Sequence, residues 1–447
     1  MGDLSIERDQ VFRIRTARTP GLLGRALVVA GEHGANIGEI ETIHIGANHN
    51  IREVAIIAPG EEAIEAIAAA MNAIEGVEVL PGQVDKVWAQ HEGGKIKIET
   101  NAVVRTLQDI REVYTPGVAR VVTAIQEDES LADTLTWRGN TIAIVTNGTR
   151  VLGLGDVGPV AALPVMEGKS LFYAQMVGVN AVPVVLDATD PMDVVETIVR
   201  IAPGFGGIHL EDIATPAVYE IERSLEERLH IPVFHDDQHG TAVVVAAAVI
   251  SAARRAGRSI GDLSFGQVGL GAAGSAIAGL ASGLGFKAIA AYDPSDIGAD
   301  RLREVSAPDA VFDIGTTDDH FDRVVATSDV LVLATGQPGL LSPDRVVDGQ
   351  IIMALTNPLP EITPRDAIAA GAAAAADGSI VNNVLSFPGI FRGALDARAP
   401  SVTIAMKRAA AHAIADASPA DELLPDPLDV SVHRAVAAAV ANAATQT

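Results

Sequence analysis

Apolar and polar positions from Val11 to Pro81 follow a regular order of strand-like and helix-like segments. Strand alternation occurs in VFRIRTA, GEIETIHIG, IREVAIIA and VEVL, whereas helical periodicity spans Gly21 to Glu32 and Glu61 to Ile74. The predicted order is βαββαβ, which is typical of a ferredoxin-like unit. The segment that follows, VDKVWAQHEGGKIKIET, is predicted to be a linker or hairpin because it contains Gly93-Gly94 and mixed charge.

From about Asn101 the pattern changes to helices that alternate with short buried strands. TIAIVTN, AVPVVLD and GIHLED end in polar residues, as parallel strands do when they deliver side chains at their carboxyl ends. DVLVLATG and QIIMALTNP are predicted to be further buried strands of a sheet that follows Thr241. Beyond Pro388 the chain is predicted to be helical, and the alanine-rich tract AAGAAAAADG is predicted to be helix surface.

Composition narrows the class of protein. A chain of 447 residues with 48% hydrophobic and 4% aromatic residues can form two or three domains with close-packed helix-on-sheet layers. The net charge of -25 argues against nucleic acid or an anionic membrane as partner. With no cysteine, every candidate metal ligand is an oxygen or nitrogen atom. No signal peptide opens the chain, and the charge-free stretch from Thr241 to Ala253 is too short to span a bilayer, so we expect a cytoplasmic protein.

A glycine fingerprint lies between the predicted strand LSFGQV and the helix AAGSAIAGLASGLG. Gly269, Gly271 and Gly274 would allow a tight turn and a close approach of the backbone to a pyrophosphate at a helix N-terminus. Asp293 ends the next strand, 24 residues beyond Gly269, where it would accept hydrogen bonds from a ribose. No Arg or Lys stands directly after Asp293 to pair with a 2′-phosphate, which favours NAD over NADP. This context disfavours the alternative of a glycine-rich helix crossing without a cofactor.

Two pairs of carboxylates precede the fingerprint, Glu211-Asp212 and Asp236-Asp237, each after a short apolar strand. One such pair is often a solvated loop, but two pairs at the same rim of a sheet could supply the oxygens that Mg²⁺ or Mn²⁺ takes from protein. We interpret His235 and His239 as supporting residues, because harder ligands are available.

Six motifs together resemble the malic enzyme family. They are YTPGVA, TNGTRVLGLGDVGPVAALPVMEGKSLFY, HLEDIATP, FHDDQHGTA, ALTNPLPEI and VNNVLSFPGIFRGALD, and they occur from about Asn101 onward in the expected order. Near the N-terminus, TPGLLGRALVVAGEHGANI resembles the ACT domain, a regulatory module for small effectors. The whole pattern resembles the bacterial short form with an N-terminal ACT domain.

The resemblance implies oxidative decarboxylation of L-malate to pyruvate and CO₂ with reduction of NAD. By motif position Glu211, Asp212 and Asp237 hold the metal, while Lys169 is the base that removes the C2 hydroxyl proton. Asp236 would position Lys169, whose neutral form we expect burial and the neighbouring cation to favour.

The remaining roles also come from motif position. Tyr114 would protonate enolpyruvate at C3, Arg150 would bind a substrate carboxylate, and Asn357 and Asn383 would contact substrate or the nicotinamide ribose. The predicted cofactor-binding set is Gly269, Gly271, Ala273, Gly274, Asp293, Thr335, Gly336 and Asn357. The sequence departs from the family motifs in two places. Asn147 stands in TNG where the family usually has TDG, and the stretch before VNNV is shorter than expected for the family.

The predicted fold is therefore α/β, with four parts. Residues 8–85 would form the ferredoxin-like ACT domain, 95–240 the catalytic domain and 241–395 a Rossmann-type NAD domain, with helices of 396–447 packing on the catalytic body. We expect a homodimer or homotetramer and a small effector near Pro20-Gly21 and Asn36-Ile37, at an interface between two ACT domains. Two alternatives stay open, a malolactic enzyme that keeps its NADH and a catalytically silent ACT-domain sensor.

Overall fold

The structure is a computed structural model that describes residues 8–81, 84–151, 153–295 and 297–446. By its internal contacts the chain divides into two compact units, residues 1–97 and 98–447. Each unit is described by itself below.

The first unit has the predicted βαββαβ order. Its elements are β1 (Arg8–Ala17), α1 (Leu22–Glu32), β2 (Asn36–Ile45), β3 (His49–Ala58), α2 (Glu61–Asn72) and β4 (Val77–Val79). The strands form an antiparallel sheet in the order β2-β3-β1-β4, the ferredoxin-like arrangement. Phe12, Ile56 and Met71 are fully buried in its core. The predicted linker contains a short strand β5 (Val84–Asp85), which pairs with β1, and a helix α3 (Lys86–His91).

The second unit begins with helices and a four-stranded parallel sheet. Its strands are β6 (Thr141–Thr146), β7 (Asn180–Val185), β8 (Gly207–Leu210) and β9 (Val233–His235), in the order β7-β6-β8-β9. Its helices are α4 (Leu107–Val113), α5 (Val118–Glu127), α6 (Ala132–Leu135), α7 (Pro159–Phe172), α8 (Pro191–Ile201) and α9 (Ala217–Arg228). Since all four strands are parallel, their carboxyl ends meet at one edge.

A six-stranded parallel sheet follows. Its strands are β10 (Ser264–Val268), β11 (Ala288–Tyr292), β12 (Asp313–Gly315), β13 (Val330–Leu333), β14 (Ile351–Ala354) and β15 (Ala374–Asp377). The order β12-β11-β10-β13-β14-β15 is the Rossmann arrangement, in which the strand order reverses beside β10. Helices α10 (Thr241–Arg255), α11 (Ala272–Ser282), α12 (Ile297–Glu304), α13 (Asp318–Thr327) and α14 (Pro364–Ala369) alternate with these strands.

The alanine tract at residues 369–378 corrects one prediction. We expected helix surface, but Ala374–Asp377 forms β15 and pairs in parallel with β14. Alanine favours helices only by a few tenths of a kcal/mol per residue, so pairing at the sheet edge outweighs that preference.

Three C-terminal helices complete the second unit, α15 (Phe387–Asp396), α16 (Ile404–Ala417) and α17 (Val430–Ala444). They pack on one another, and α16 also packs on α10. One hydrophobic core runs from Ile142 in β6 through Phe391 in α15 to Ile414 in α16. Among the described residues, no helix combines the length and hydropathy that a bilayer crossing requires.

Candidate active site

The four acidic residues singled out in the sequence lie at one edge of the four-stranded sheet. Glu211 and Asp212 directly follow β8, while Asp236 and Asp237 directly follow the neighbouring strand β9 and begin a π-helical turn. Carboxylate oxygens of Glu211, Asp212 and Asp237 lie within 4.8 Å of one another. Asp212 has a left-handed backbone with φ of 52°, and its Oδ2 is buried with no hydrogen-bond partner. Three converging carboxylates, one of which has a buried oxygen without a partner, fit a hard divalent cation.

Lys169 comes to this cluster from the last turn of α7. Its Nζ donates to Asp236 Oδ2 at 2.5 Å and lies 3.0 Å from Glu211 Oε1. The same ammonium lies 4.6 Å from the centre of the Phe387 ring. Lys169 and Asp236, which the sequence assigns to base and positioning roles, are therefore neighbours.

Burial and crowded charge dominate the electrostatics of the cluster. Burial, reinforced by Glu211 and Asp237, raises the pKa of Asp212 to about 8. Burial also raises the pKa of Glu211 to about 8, although Lys169 opposes it. If all the carboxylates were ionised, they would carry more negative charge than one lysine balances, and a bound cation would relieve that excess.

The pKa of Lys169 depends on the carboxylates as well as on burial. Burial acts to lower the pKa of Lys169, but Asp236 and Glu211 outweigh burial, and the pKa lies well above its ordinary value. Burial alone therefore does not make this lysine neutral. A cation on the carboxylates would cancel the field that holds the proton.

A second layer of buried side chains orients Glu211. His209, on β8, contacts Glu211 Oε2 through Nε2 at 2.8 Å, and its Nδ1 lies 2.7 Å from the Tyr173 hydroxyl. Burial lowers the pKa of His209 to about 3, so the ring is neutral. When Glu211 is ionised, as a bound cation would require, the neutral ring donates to it from Nε2 and accepts at Nδ1 from the Tyr173 hydroxyl.

Two other predicted residues join the carboxylates. Asn383 donates from Nδ2 to Asp236 Oδ2 at 3.2 Å, so its amide orients the partner of Lys169. The backbone N–H of Arg150 donates to the carbonyl of Asp212 at 3.1 Å, while its exposed guanidinium is 3.4 Å from Thr215 Oγ1. Both residues lie at the edge where a substrate would meet the metal ligands.

Tyr114 and Asn357 are both exposed to solvent. Tyr114 ends α4 with 67% of its surface exposed, and no hydrogen bond among the described residues joins it to Lys169. Asn357 is exposed in the turn after β14. The roles expected of Tyr114 and Asn357 therefore rest on their positions in the YTPGVA and ALTNPLPEI motifs.

The glycine fingerprint adopts the geometry of a dinucleotide loop. Gly269 has φ of 89°, and a Cβ there would lie 2.4 Å from the Ala334 carbonyl oxygen. A Cβ at Gly274 would lie 1.9 Å from the Gly269 oxygen, whereas one at Gly271 would meet no atom within 4 Å. Helix α11 begins directly after Gly271 without a side-chain cap or an acidic first turn. Protein backbone therefore fills the space beside Gly269 and Gly274, whereas the space beside Gly271 is empty. A pyrophosphate would approach the free N–H groups of the helix N-terminus there.

The other residues predicted to bind the cofactor surround this loop. Asp293 accepts from the Leu270 N–H at 2.7 Å and from the Ser295 N–H at 2.8 Å, so it braces the fingerprint from β11. Asp296 belongs to the stretch after Asp293 whose lack of Arg or Lys favours NAD, and it lies outside the described residues. Ala273 lies in the first turn of α11.

Thr335 and Gly336 follow β13, the neighbour of β10. The Thr335 hydroxyl and N–H both donate to Glu361 Oε1 at 2.8 Å, and the Gly336 N–H donates to Thr356 Oγ1 at 2.9 Å. Glu361 is completely buried, so it fixes the backbone of this loop.

Comparison with known proteins agrees with this geometry. The family model of the malic enzyme N-terminal domain matches residues 93–193. The chain is 45% identical over 436 residues to NAD-dependent malic enzyme 1 of Bacillus subtilis, with 97% of each protein covered. The chain belongs to the malic enzyme family. It is also 39% identical to the NAD-dependent malic enzyme of Geobacillus stearothermophilus, over 93% of this chain and 90% of that protein.

A solved malic enzyme has the same fold. The NAD-dependent malic enzyme of Thermotoga maritima superposes with a TM-score of 0.72 at 33% identity, over 80% of this chain and 99% of that one. The α/β fold and the Rossmann-type sheet predicted from the sequence are thereby confirmed.

Sequence patterns did not identify several residues that the structure places in this site. His209 carried a signal, since a histidine inside the apolar strand GIHL, two positions before Glu211, points to the same face. Tyr173 and Glu361 carried none, because their partners lie on other elements. Asn147, the departure from the family motif, accepts from Thr149 and donates to the Ala188 carbonyl at 3.0 Å, so it shapes the loop before Arg150.

Proposed function

We propose that this protein catalyses the oxidative decarboxylation of L-malate to pyruvate and CO₂ with reduction of NAD. The observation that carries the proposal is the convergence of Glu211, Asp212 and Asp237 beside the ammonium of Lys169. A dinucleotide loop lies in the same unit, and both nearly full-length relatives described above are NAD-dependent malic enzymes.

The carboxylates fit Mg²⁺ or Mn²⁺. All the ligands are hard oxygen atoms, and the buried Oδ2 of Asp212 has no other partner. When bound there, such a cation would supply Lewis acidity toward the oxygen substituent at C2 of malate. It also explains how an acidic protein of net charge -25 attracts a dianion.

The side chains of this protein perform the proton transfers. Lys169, once neutral, would accept the C2 hydroxyl proton as malate is oxidised, and Asp236 holds the amine in place. Arg150 binds a carboxylate of malate. Asn383 orients Asp236 and thereby the base.

Tyr114 is proposed as the proton donor to C3 by its place in the YTPGVA motif. Its exposure leaves room for a further protein surface to cover it. The neighbouring helix α4 has no buried residue and exposes Leu107 by 81%. These exposed apolar residues support the proposal that the chain forms a homodimer or homotetramer.

One incubation separates malic from malolactic activity. Protein with malate, NAD and Mn²⁺ should accumulate NADH and pyruvate in equal amounts. Lactate without NADH would overturn the proposal in favour of the malolactic alternative.

A pair of variants tests the base. Lys169→Ala should lower kcat by several orders of magnitude without loss of fold, because no other amine contacts the cluster among the described residues. Lys287→Ala, at an exposed lysine, is the matched control and should act like the wild type. A Lys169→Ala enzyme with near-normal kcat would exclude Lys169 as the base. The silent-sensor alternative is tested separately, because it predicts that the wild-type protein does not turn over malate.

We further propose that the first unit is an ACT-type regulatory domain with an anionic effector. A cavity of about 320 Å³ lies between β1, the start of α1 and β3, and Arg18 and Arg52 line it together with Pro20 and Gly21. Asn36 and Ile37, which the sequence also suggested, do not line this cavity.

Charge pairing on the same sheet supports an anion. Arg13 pairs with Glu53 and Arg15 with Glu78, whereas neither cavity arginine has a carboxylate partner among the described residues. Malate kinetics should therefore respond to a carboxylate metabolite such as aspartate, and Arg52→Gln should abolish the response while Arg13→Gln retains it. An equal response in both variants would rule out this cavity.

A further inference from the structure

Helix α12 contacts the dinucleotide loop through its first turn. A Cβ at Gly298 would lie 2.4 Å from the Leu270 carbonyl oxygen, so the helix backbone lies directly against the fingerprint. Leu270 is itself held by the carboxylate of Asp293 and by the Ser275 hydroxyl. Any shift of the fingerprint is therefore passed to α12.

One turn later, the same helix reaches the metal loop. Arg301 is 7% exposed, and its Nε and Nη2 donate to Gln238 Oε1 at 3.1 and 2.9 Å. Gln238 directly follows Asp237, a proposed metal ligand, in the same π-helical turn. A single planar guanidinium thus links the helix beside the fingerprint to the residue beside the metal ligand.

A buried carboxylate binds both residues of the Arg301–Gln238 contact. Glu222, on α9, is 1% exposed and accepts from Arg301 Nη2 at 2.5 Å, from Gln238 Nε2 at 3.0 Å and from His239 Nε2 at 2.9 Å. The Gln238 amide also donates to His235 Nδ1 at 2.8 Å. Each polar group of the Gln238 side chain is bonded, so the metal loop has one defined orientation relative to α12.

Stability does not account for such a network. A buried ion pair stabilises a fold no better than well-packed apolar residues of the same volume, whereas it does fix geometry. The fixed geometry here joins two sites that must act on one substrate.

We infer that Arg301 is a positioning residue that couples dinucleotide binding to metal binding. The inference rests on the proposed function, since it takes NAD and Mn²⁺ as the two ligands. A dinucleotide that orders the fingerprint fixes α12, and α12 fixes the turn that carries Asp237. By linkage, each ligand then tightens the other by the same factor, which typical couplings place at about tenfold.

The test measures Mn²⁺ binding to the full-length protein, with free Mn²⁺ followed by electron paramagnetic resonance, in the absence and presence of saturating NAD. NAD binding with and without Mn²⁺ is measured by calorimetry. The wild type should show reciprocal tightening of about tenfold in both titrations.

Arg301→Lys keeps the positive charge beside Glu222 but lacks the planar fork that reaches Gln238. It should bind each ligand alone about as the wild type does, and the coupling should fall to about twofold or less. Gln238→Met removes the acceptor while Arg301 keeps its ion pair with Glu222, and it should lose the coupling in the same way. Arg303→Lys is the matched control, because Arg303 lies on the same helix, 62% exposed and paired with Asp300 at 2.7 Å, and its coupling should be unchanged.

Three results would overturn the inference. Wild-type protein that binds both ligands independently refutes the coupling while leaving the proposed function intact. Arg301→Lys and Gln238→Met proteins that retain the wild-type factor refute the role of this network. A wild type that binds neither ligand refutes the inference together with the proposed function.

Discussion

The affinity of this protein for Mn²⁺ should depend steeply on pH because of Asp212. Burial and the neighbouring carboxylates raise the pKa of Asp212 to about 8, so the metal-free site holds a proton there at neutral pH. Cation binding needs the ionised carboxylate and must release that proton. The variant Asp212→Asn removes the titrating group while it keeps one oxygen and nearly the same volume.

The magnitude follows from the pKa. At pH 6, two units below the pKa of about 8, roughly one molecule in a hundred has Asp212 ionised. The apparent affinity should therefore weaken about tenfold for each pH unit from 8 to 6 on account of this residue alone. Glu211, whose pKa also lies at about 8, adds its own dependence. The slope of log affinity against pH should be lower by one unit in Asp212→Asn than in the wild type.

The same pKa sets the sign of a stability effect. Because the pKa of Asp212 is higher in the folded protein than its ordinary 3.8, the folded state keeps a proton that the unfolded chain releases between about pH 4 and 8. This residue therefore makes the metal-free protein less stable as pH rises through that window. Added Mn²⁺ should raise the melting temperature more at pH 8 than at pH 6.

Mn²⁺ titration by electron paramagnetic resonance at pH 6, 7 and 8 measures the slope directly. Asp187→Asn is the control, since Asp187 is an exposed carboxylate shortly after β7, at the carboxyl edge of the same sheet. Its slope should equal that of the wild type. A wild-type affinity that stays flat between pH 6 and 8, or equal slopes in Asp212→Asn and wild type, would refute the reasoning.

Three further predictions concern the cofactor loop and the core. Gly271→Ala should fold normally, because a Cβ there meets no protein atom within 4 Å, yet initial-rate kinetics should show the KM for NAD raised by about tenfold or more; an unchanged KM would contradict the loop assignment. Phe391→Ala should lower the free energy of unfolding in urea by about 3–5 kcal/mol, because the ring is fully buried against Tyr173; a loss under about 1 kcal/mol would contradict this packing. Burial opposes ionisation of Asp329, but hydrogen bonds from Ser264 and Arg258 outweigh it and lower the pKa to about 2. Asp329→Asn should therefore cost about 1 kcal/mol at pH 7, allowing for solvent screening of a side chain one-third exposed, and progressively less between pH 4 and 2; an equal cost at both ends of that range would contradict the assignment.

The sequence predicted those features that depend on local order along the chain. Alternation specified the ferredoxin-like unit, and the rule that parallel strands end at one edge predicted the closeness of Glu211 and Asp237 that the structure shows. The fingerprint predicted the tight geometry of its loop, because the backbone leaves no room for a Cβ at Gly269 or at Gly274.

The remaining features depend on contacts between distant positions. Tyr173 and His209 lie 36 positions apart, and Arg301 and Gln238 lie 63 apart, so no local pattern reports their pairing. The pKa of Lys169 in the metal-free site could not be read from the sequence for a related reason, since the balance of burial against carboxylates depends on distances that the sequence does not contain. The alanine-rich composition predicted helix at residues 374–377, which form a strand because pairing with β14 outweighs the helical preference of alanine.

Helix α10 begins where the metal loop ends, and every side chain from Ala242 to Ala253 is buried. Its small alanine and valine residues let the two sheets and the C-terminal helices pack closely around it. A larger side chain at a position such as Ala247 has no solvent face to occupy, so either the neighbouring layers or the start of the helix must move. Substitutions along α10 should therefore change stability and turnover together, and a directed-evolution campaign would improve one without the other only by leaving this helix untouched.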